Sequence, residues 1–399
     1  MNLLLVIDDY LPHSTRVSAK MMHELAVELE QQGHKVIVLT PGTTGQVMPL
    51  AKQELDGVRV WRFKSGPVKD ISRVRRLINE SLLSFHAWRA LRSELDFLDV
   101  DGVVYYSPTI FFGHLIAKLK QRFNCLAYLI VRDLFPQWAI DEGMISENSL
   151  ITKYLRYFER KNYQASDVIG LMSERNIEVF KKLQPHYQNL EVLRNWVSVE
   201  NLKHTPKWRE KLGLLDKVVL LYGGNIGKAQ DMPNLMRLAL SLKEDDQAHF
   251  VFVGQGESYQ EVFEFIEQHD LQNITLMPSI SQDEFKVMLS EVDIGLFSLA
   301  ATHTAHNFPG KILGYIANDL PILGSVNRGN DLMDVINSYH AGFVFENGSD
   351  QALLQAAQQL ISDGNLRKQC GQNARALLDS HFSVTSAATK IVSSLKKYS

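Results

Sequence analysis

The sequence predicts an α/β protein made of two doubly wound, Rossmann-like domains. Continuous apolar runs such as Leu3-Leu4-Leu5-Val6-Ile7 read as strands buried on both faces of a parallel sheet. Segments with helical spacing separate these runs. The alternation begins afresh after Asn195-Trp196 and a polar stretch through Lys207.

In the first series, Ser18, Met21, Met22, Leu25, Ala26 and Leu29 form one helical face, with Glu24 and Glu28 opposite. Gly33 closes that helix and Lys35-Val36-Ile37-Val38-Leu39 is the next strand. Further strands are expected over 57–63, 102–106, 126–131, 167–171 and 190–193, with helices over 71–95, 112–121, 148–165 and 173–183. The second series opens with Val218-Val219-Leu220-Leu221-Tyr222. Strands over 250–253, 274–276, 293–297, 322–323 and 342–344 follow, and a helical segment over 366–397 ends the chain. The expected domains are residues 1–197 and 205–377, with a terminal helix from about 378 to 399 packing back on the first. Two facing sheets would frame a cleft at their carboxyl ends, where ligands of open α/β sheets bind.

At 399 residues the chain can hold two full-sized cores. Its 45% apolar and 22% charged content is that of a soluble globular protein. A net charge of -3 argues against a nucleic-acid partner. Cys125 and Cys370 lie far apart, so neither a metal site nor a disulfide framework is expected, and a reduced cytoplasm is the simplest setting. The run Leu3 to Ile7 is too short for a signal-peptide core and Asp8-Asp9 follows it, so no secretory signal is expected. Residues 102–117 are uncharged but broken by Ser107-Pro108 and Gly113, which reads as strand, loop and helix start rather than a membrane span.

The most informative segment is His306-Asn307-Phe308-Pro309-Gly310-Lys311, after the strand at Ile294-Gly295-Leu296-Phe297. Pro309 suits a first helical turn, and Ile312, Leu313, Ile316 and Ala317 give the helix an apolar face. Lys311 then stands beside free N–H groups and a positive dipole end, an arrangement suited to phosphate. The alternative is an ordinary helix start with a solvated lysine. Tyr222-Gly223-Gly224-Asn225-Ile226-Gly227-Lys228 lets backbone approach a ligand directly after a strand, with Lys228 expected at the next helix start. It fits neither G-x-G-x-x-G nor the P-loop. Gly254-Gln255-Gly256 lacks the third glycine of a dinucleotide site, Tyr259 standing there, and reads as a tight turn. Arg132-Asp133-Leu134-Phe135-Pro136 ends the 126–131 strand. The charged pair there is either ligand-facing in the cleft or a salt bridge at a strand end. His303 and His306 have no third metal ligand nearby in sequence.

Taken in order, Arg132 to Pro136, Asn195-Trp196-Val197, Gly224-Asn225, Val253-Gly254-Gln255-Gly256, Pro309-x-Lys311 and Leu320-Pro321-Ile322-Leu323 resemble the retaining glycosyltransferases of family four, which have the GT-B fold. Within it, Ile7-Asp8-Asp9-Tyr10-Leu11-Pro12, His306 to Lys311 and Leu323-Gly324-Ser325-Val326-Asn327 are most similar to bacterial N-acetyl-L-fucosamine transferases of O-antigen and capsule clusters. The resemblance implies a donor site of Gly224, Asn225, Gln230, Gly254, Ser279, His306, Asn307 and Phe308. It implies Lys311, Lys228, Arg132 and Asp133 as the catalytic groups. It further implies a nucleotide sugar, best read as UDP-linked, and a polyprenyl-diphosphate-linked oligosaccharide acceptor.

Departures from the family qualify this. Two glutamates eight apart usually flank the 311 helix; His306 and Gly314 stand in their places. Ribose recognition is left to another group, of which His306 is one, or is weaker. Asn225 stands for the usual arginine, and Lys228 or Gln230 for the usual lysine. Arg132 replaces a histidine, and Pro12-His13-Ser14-Thr15 replaces a glycine-rich loop. Asp99-Val100-Asp101 imitates a metal-binding D-x-D but precedes a strand, so it reads as a loop. The implied mechanism is metal-independent transfer with retention, needing no cofactor. Lys311, Lys228 and backbone N–H groups would stabilise the departing diphosphate.

The segment with Arg62, Lys64, Lys69, Arg73, Arg75 and Arg76 holds one acid, Asp70. It reads either as a solvated helix face or as a dock for an anionic membrane surface, with Arg73, Arg75 and Arg76 as the contacts. The expected location is cytoplasmic, at the periphery of the inner membrane. A sugar-nucleotide 2-epimerase of similar outline and a non-catalytic sugar-nucleotide-binding homologue remain the other readings.

Overall fold

The computed structural model describes residues 1–14, 16–43, 45–68, 71–107, 109–198, 207–302 and 309–398. The chain divides into two compact units, Met1–Asn195 with Val384–Ser399, and Trp196–Ser383. Both are doubly wound, as the alternation of strands and helices predicts.

The first unit is built on an eight-stranded sheet in the order β3-β4-β2-β1-β5-β6-β7-β8. Its strands are β1 (Asn2–Val6), β2 (Lys35–Pro41), β3 (Leu50–Leu55), β4 (Val58–Phe63), β5 (Gly102–Ser107), β6 (Leu126–Val131), β7 (Val168–Leu171) and β8 (Leu190–Val192). Leu5 pairs with Val38 on one side and Val104 on the other, at the centre of the sheet. Burial on both faces explains the apolar runs of β1, β2, β5 and β6. The edge strand β3 is antiparallel to β4 and was not expected. Its Lys52, Gln53 and Glu54 are exposed, so no apolar run marks it. Helices Leu83–Leu91, Gly113–Phe123 and Leu150–Gln164 pack side by side on one face, and Val17–Gln31 packs against Val384–Lys397 on the other.

Two expected helices are interrupted. The 71–95 segment forms Arg73–Ser81 and Leu83–Leu91, because at Leu82 the N–H turns back three residues to Asn79. The 366–397 segment forms Gly364–Leu377, a π-turn at Leu378–Phe382, and Val384–Lys397. The Asp99 and Asp101 carboxylates accept from the Asn2 side-chain and backbone N–H groups at 2.8 and 2.7 Å, which accounts for them structurally.

The second unit has an all-parallel sheet in the order β11-β10-β9-β12-β13-β14. The strands are β9 (Val218–Asn225), β10 (Ala248–Gln255), β11 (Ile274–Met277), β12 (Ile294–Ser298), β13 (Ile322–Val326) and β14 (Gly342–Glu346). The winding direction reverses between β9 and β12, so their carboxyl ends diverge and leave the crevice in which such sheets bind ligands. Helices Gly310–Ala317 and Gly364–Leu377 cover one face, and Met232–Ser241 and Asp350–Ser362 the other.

Candidate functional site

The second unit concentrates its unusual chemistry at that switch point. The buried run Val219 to Tyr222 delivers the chain to Gly223, Gly224 and Asn225 at the end of β9. Gly224 has φ +122°, which L side chains rarely adopt. On the neighbouring strand, a Cβ at Gly254 would sit 1.8 Å from the Gly224 carbonyl oxygen. Gly254 is therefore what lets the end of β9 lie against β10. Of the tight turn expected at 254–256, Gly254 and Gln255 are the last residues of β10, and the turn itself begins at Gly256, whose carbonyl accepts from the Tyr259 N–H at 3.2 Å.

The Gly310–Ala317 helix starts beside this loop, with Pro309 as its N-cap rather than its first residue. Tyr315 fixes it. Its hydroxyl lies 2.9 Å from the Leu296 carbonyl and 3.1 Å from that of Leu221, and accepts from the Gly223 N–H at 3.3 Å. One turn earlier on the same helix face, Lys311 Nζ lies 3.5 Å from the centre of the Tyr222 ring. It would lie 3.7 Å from a Cβ at Gly224. This ammonium is buried and has no hydrogen-bond partner among the described residues. Burial pulls its pKa down to about 7. No carboxylate among the described residues is bonded to this ammonium, so an anionic ligand would give it the partner it lacks.

Around this centre, Asn225 donates to Gln230 Oε1 at 2.8 Å. The neutral amide pair occupies the place where the family resemblance leads one to expect cations. Lys228 is exposed and opens a short 3-10 turn, Lys228–Gln230, rather than the following helix, which begins at Met232. Asp231 follows in the left-handed conformation, and its carboxylate accepts from Asn347 at 2.8 Å. Asn347 also donates to the Leu299 carbonyl at 2.8 Å, so one amide ties the Lys228 turn to the end of β12. Ser279 is exposed in the loop after β11, and no hydrogen bond among the described residues joins it to Lys311. His306, Asn307 and Phe308 lie outside the described residues, as does His303.

The residues singled out in the first unit are placed differently. Arg132 follows β6 directly and is buried, donating to the Leu193 carbonyl at 2.6 Å and to that of Arg194 at 3.3 Å. Burial lowers its pKa. Its guanidinium thus clamps β6 to the segment after β8. The neighbouring Asp133 is exposed. Arg62 belongs to the interior, not to a basic surface: it is buried and donates to the Leu11 carbonyl. Arg75 and Arg76 are exposed on the Arg73–Ser81 helix, and Arg76 pairs with Glu80 at 2.8 Å. The side chain of Arg73 lies outside the described residues.

Tyr222 and Tyr315 were not singled out in the sequence. Tyr315 is four residues from Lys311 on a helix, which is the one available signal. Tyr222 ends an apolar strand and looks like core.

The chain is 19% identical over 353 residues to WbjE of Pseudomonas aeruginosa, described as a probable glycosyltransferase, covering 85% of this chain and 84% of that one. It is 23% identical over 336 residues to WcaI of Escherichia coli K12, provisionally assigned as a glycosyl transferase of colanic acid biosynthesis, covering 79% and 81%. Its fold superposes on Anabaena HepE in complex with UDP with a TM-score of 0.66, at 14% identity and full coverage of both chains. The likeness is to the two-domain GT-B fold. The segment that carries Gly224, Gly254 and Lys311 is the one that matches the glycosyl transferases group 1 family, over residues 204–377.

Proposed function

We propose that this protein is a retaining, metal-independent glycosyltransferase that uses a nucleotide-diphosphate sugar, best read as UDP-N-acetyl-L-fucosamine. Its acceptor in this reading is a polyprenyl-diphosphate-linked oligosaccharide in surface-polysaccharide assembly, met at the inner membrane. The observation that carries the reading is the buried Lys311 ammonium facing Tyr222 and Gly224 with no partner among the described residues. A diphosphate supplies the missing counter-charge. As the bond from the sugar C1 to the diphosphate oxygen breaks, Lys311 would hold the electron pair left on that oxygen. The acceptor hydroxyl would bond to C1 from the same face and pass its proton to the departing phosphate. Lys228 would add charge at the same loop, while Gly224, Asn225, Gln230 and Gly254 shape it, and the exposed Asp133 would orient the acceptor.

Further support comes from HepE, a structural neighbour that was solved with UDP, and from WcaI, whose description places it in colanic acid biosynthesis. The test is thermal unfolding with UDP, GDP and dTDP. UDP should raise the melting temperature, and Lys311→Ala should remove most of that rise. Equal protection of the variant sinks the assignment. If Lys311 stabilises the leaving group, its loss should also slow turnover about a hundredfold, or roughly 3 kcal/mol.

A further inference from the structure

Three strand ends of the second unit meet at one residue. Asn347 directly follows β14, and its backbone N–H donates at 2.8 Å to the carbonyl of Val326, which ends β13. Its side-chain amide donates to the Leu299 carbonyl just after β12 and to the Asp231 carboxylate, both at 2.8 Å. Both amide hydrogens are thereby used. The bond to Asp231 spans 116 residues of sequence and reaches the end of the turn that carries Lys228.

Asp231 is the informative partner. It has φ +41° and ψ 63°, between the Lys228–Gln230 turn and the Met232–Ser241 helix. Glycine would take this left-handed conformation at no cost, yet a carboxylate stands here. That carboxylate is three residues from Lys228 and carries the charge that would neutralise it. It is bonded instead to a neutral amide, and Lys228 is exposed. The fold has other means of holding these segments. The Ala300 N–H donates to the Ala229 carbonyl at 2.9 Å, which ties the middle of the turn to the end of β12. Arg237 and Asp350 pair at 2.7 Å and join the Met232–Ser241 and Asp350–Ser362 helices at the surface. The Asn347 amide is thus not needed merely to keep the elements together.

We propose that Asn347 is a positioning residue for the donor site. By holding Asp231 to the end of β12, it keeps that carboxylate off Lys228 and leaves the Lys228 ammonium for the donor diphosphate. The inference rests on the reading of a nucleotide-diphosphate donor and adds a residue that touches neither donor nor acceptor.

The experiment is calorimetric titration of the full chain with UDP, with melting temperatures measured without nucleotide to show that each variant folds. Asn347→Ala should weaken UDP binding about tenfold, as one charged contact is lost, and Lys228→Ala should weaken it by a similar factor. The two together should bind no worse than Lys228→Ala alone, because Asn347 acts through that ammonium. Adding Asp231→Asn to Asn347→Ala should restore most of the affinity, since no carboxylate is left to pair with Lys228. Asp350→Asn, which cuts only the surface pair, should bind UDP like the parent. Asn347→Ser carries the same comparisons if the alanine variant does not fold. Parental affinity in Asn347→Ala overturns the proposal. So do losses that multiply with Lys228→Ala, and so does a failure of Asp231→Asn to rescue. A parent that does not bind UDP strikes the donor reading and this inference with it, whereas a parent that binds UDP beside an uncoupled Asn347 strikes this inference alone.

Discussion

Lys311 holds its ammonium 3.5 Å from the centre of the Tyr222 ring, while Tyr315, one turn along, bonds the middle of β9 and of β12 through the Leu221 and Leu296 carbonyls. The helix is thus stapled to the strands by one side chain and presents an uncompensated charge with another. The staple fixes where that charge stands before any ligand arrives, which is the preorganisation electrostatic catalysis needs.

This arrangement predicts a pH dependence. The Lys311 pKa is pulled down to about 7 in the free protein, and a bound diphosphate would raise it again. Binding then takes up a proton, so UDP affinity should be full below about pH 7 and fall by up to about tenfold per pH unit above it. Calorimetric titration between pH 6 and pH 9 (roughly two units above the shifted value) checks this. Lys311→Ala should bind weakly with a flat profile over the same range. A parent profile that rises with pH would reject the mechanism.

Tyr315→Phe should separate the staple from the charge. The Gly223 N–H and the Leu221 and Leu296 carbonyls would lose their buried partner. The expected loss is about 1–3 kcal/mol of unfolding free energy. UDP affinity should also drop, since the helix start is no longer pinned. Chemical denaturation and UDP titration of the same variant report the two effects, and unchanged UDP affinity would show that the staple does not position Lys311.

Metal independence is a consequence of the proposed mechanism. In that mechanism the charge on the departing diphosphate is met by the Lys311 ammonium, which needs no metal. With charge neutralised by Lys311, transfer should continue after dialysis against EDTA. Activity restored only by Mn²⁺ or Mg²⁺ would contradict the proposed mechanism.

A separate prediction concerns stability. His249 on β10 is buried, with Nε2 2.8 Å from Thr275 Oγ1, and burial lowers its pKa from 6.5 to about 4. The unfolded chain therefore binds the proton more readily, so the folded state is fully favoured above pH 6.5 and loses ground as pH falls towards 4. The contribution is up to about 3 kcal/mol across that window. His249→Gln should unfold with a flatter acid dependence than the parent in urea titrations. Identical slopes would mean that the imidazole does not titrate with unfolding.

The parallel strands were readable because both faces are buried, which leaves apolar runs at Leu3–Ile7, Val218–Tyr222 and Phe250–Val253. The edge strand β3 was not, because Lys52, Gln53 and Glu54 face water. The break at Leu82 carries neither glycine nor proline, so nothing local announces it. Within the site, Gly224 and Lys311 stood out through backbone freedom and a charge at a helix start. Their aromatic partner did not, because a tyrosine ending a buried strand carries no sign of what will rest on its ring. Arg132 shows the converse limit. A charged residue after an apolar strand suggests a ligand, yet long-range topology brought the Leu193 and Arg194 carbonyls to it.

The first unit is interrupted in sequence, with Val384–Ser399 belonging to it and the whole of Trp196–Ser383 intervening. During synthesis the second unit is complete before the first. The Val17–Gln31 helix emerges early and must wait for the final residues to receive its neighbour, Val384–Lys397. Until then Met22, Leu25 and Leu29, all buried in the finished protein, lack part of their cover. Val384–Lys397 therefore completes the first unit, and a message truncated just before it would yield a finished second unit joined to an unfinished first one.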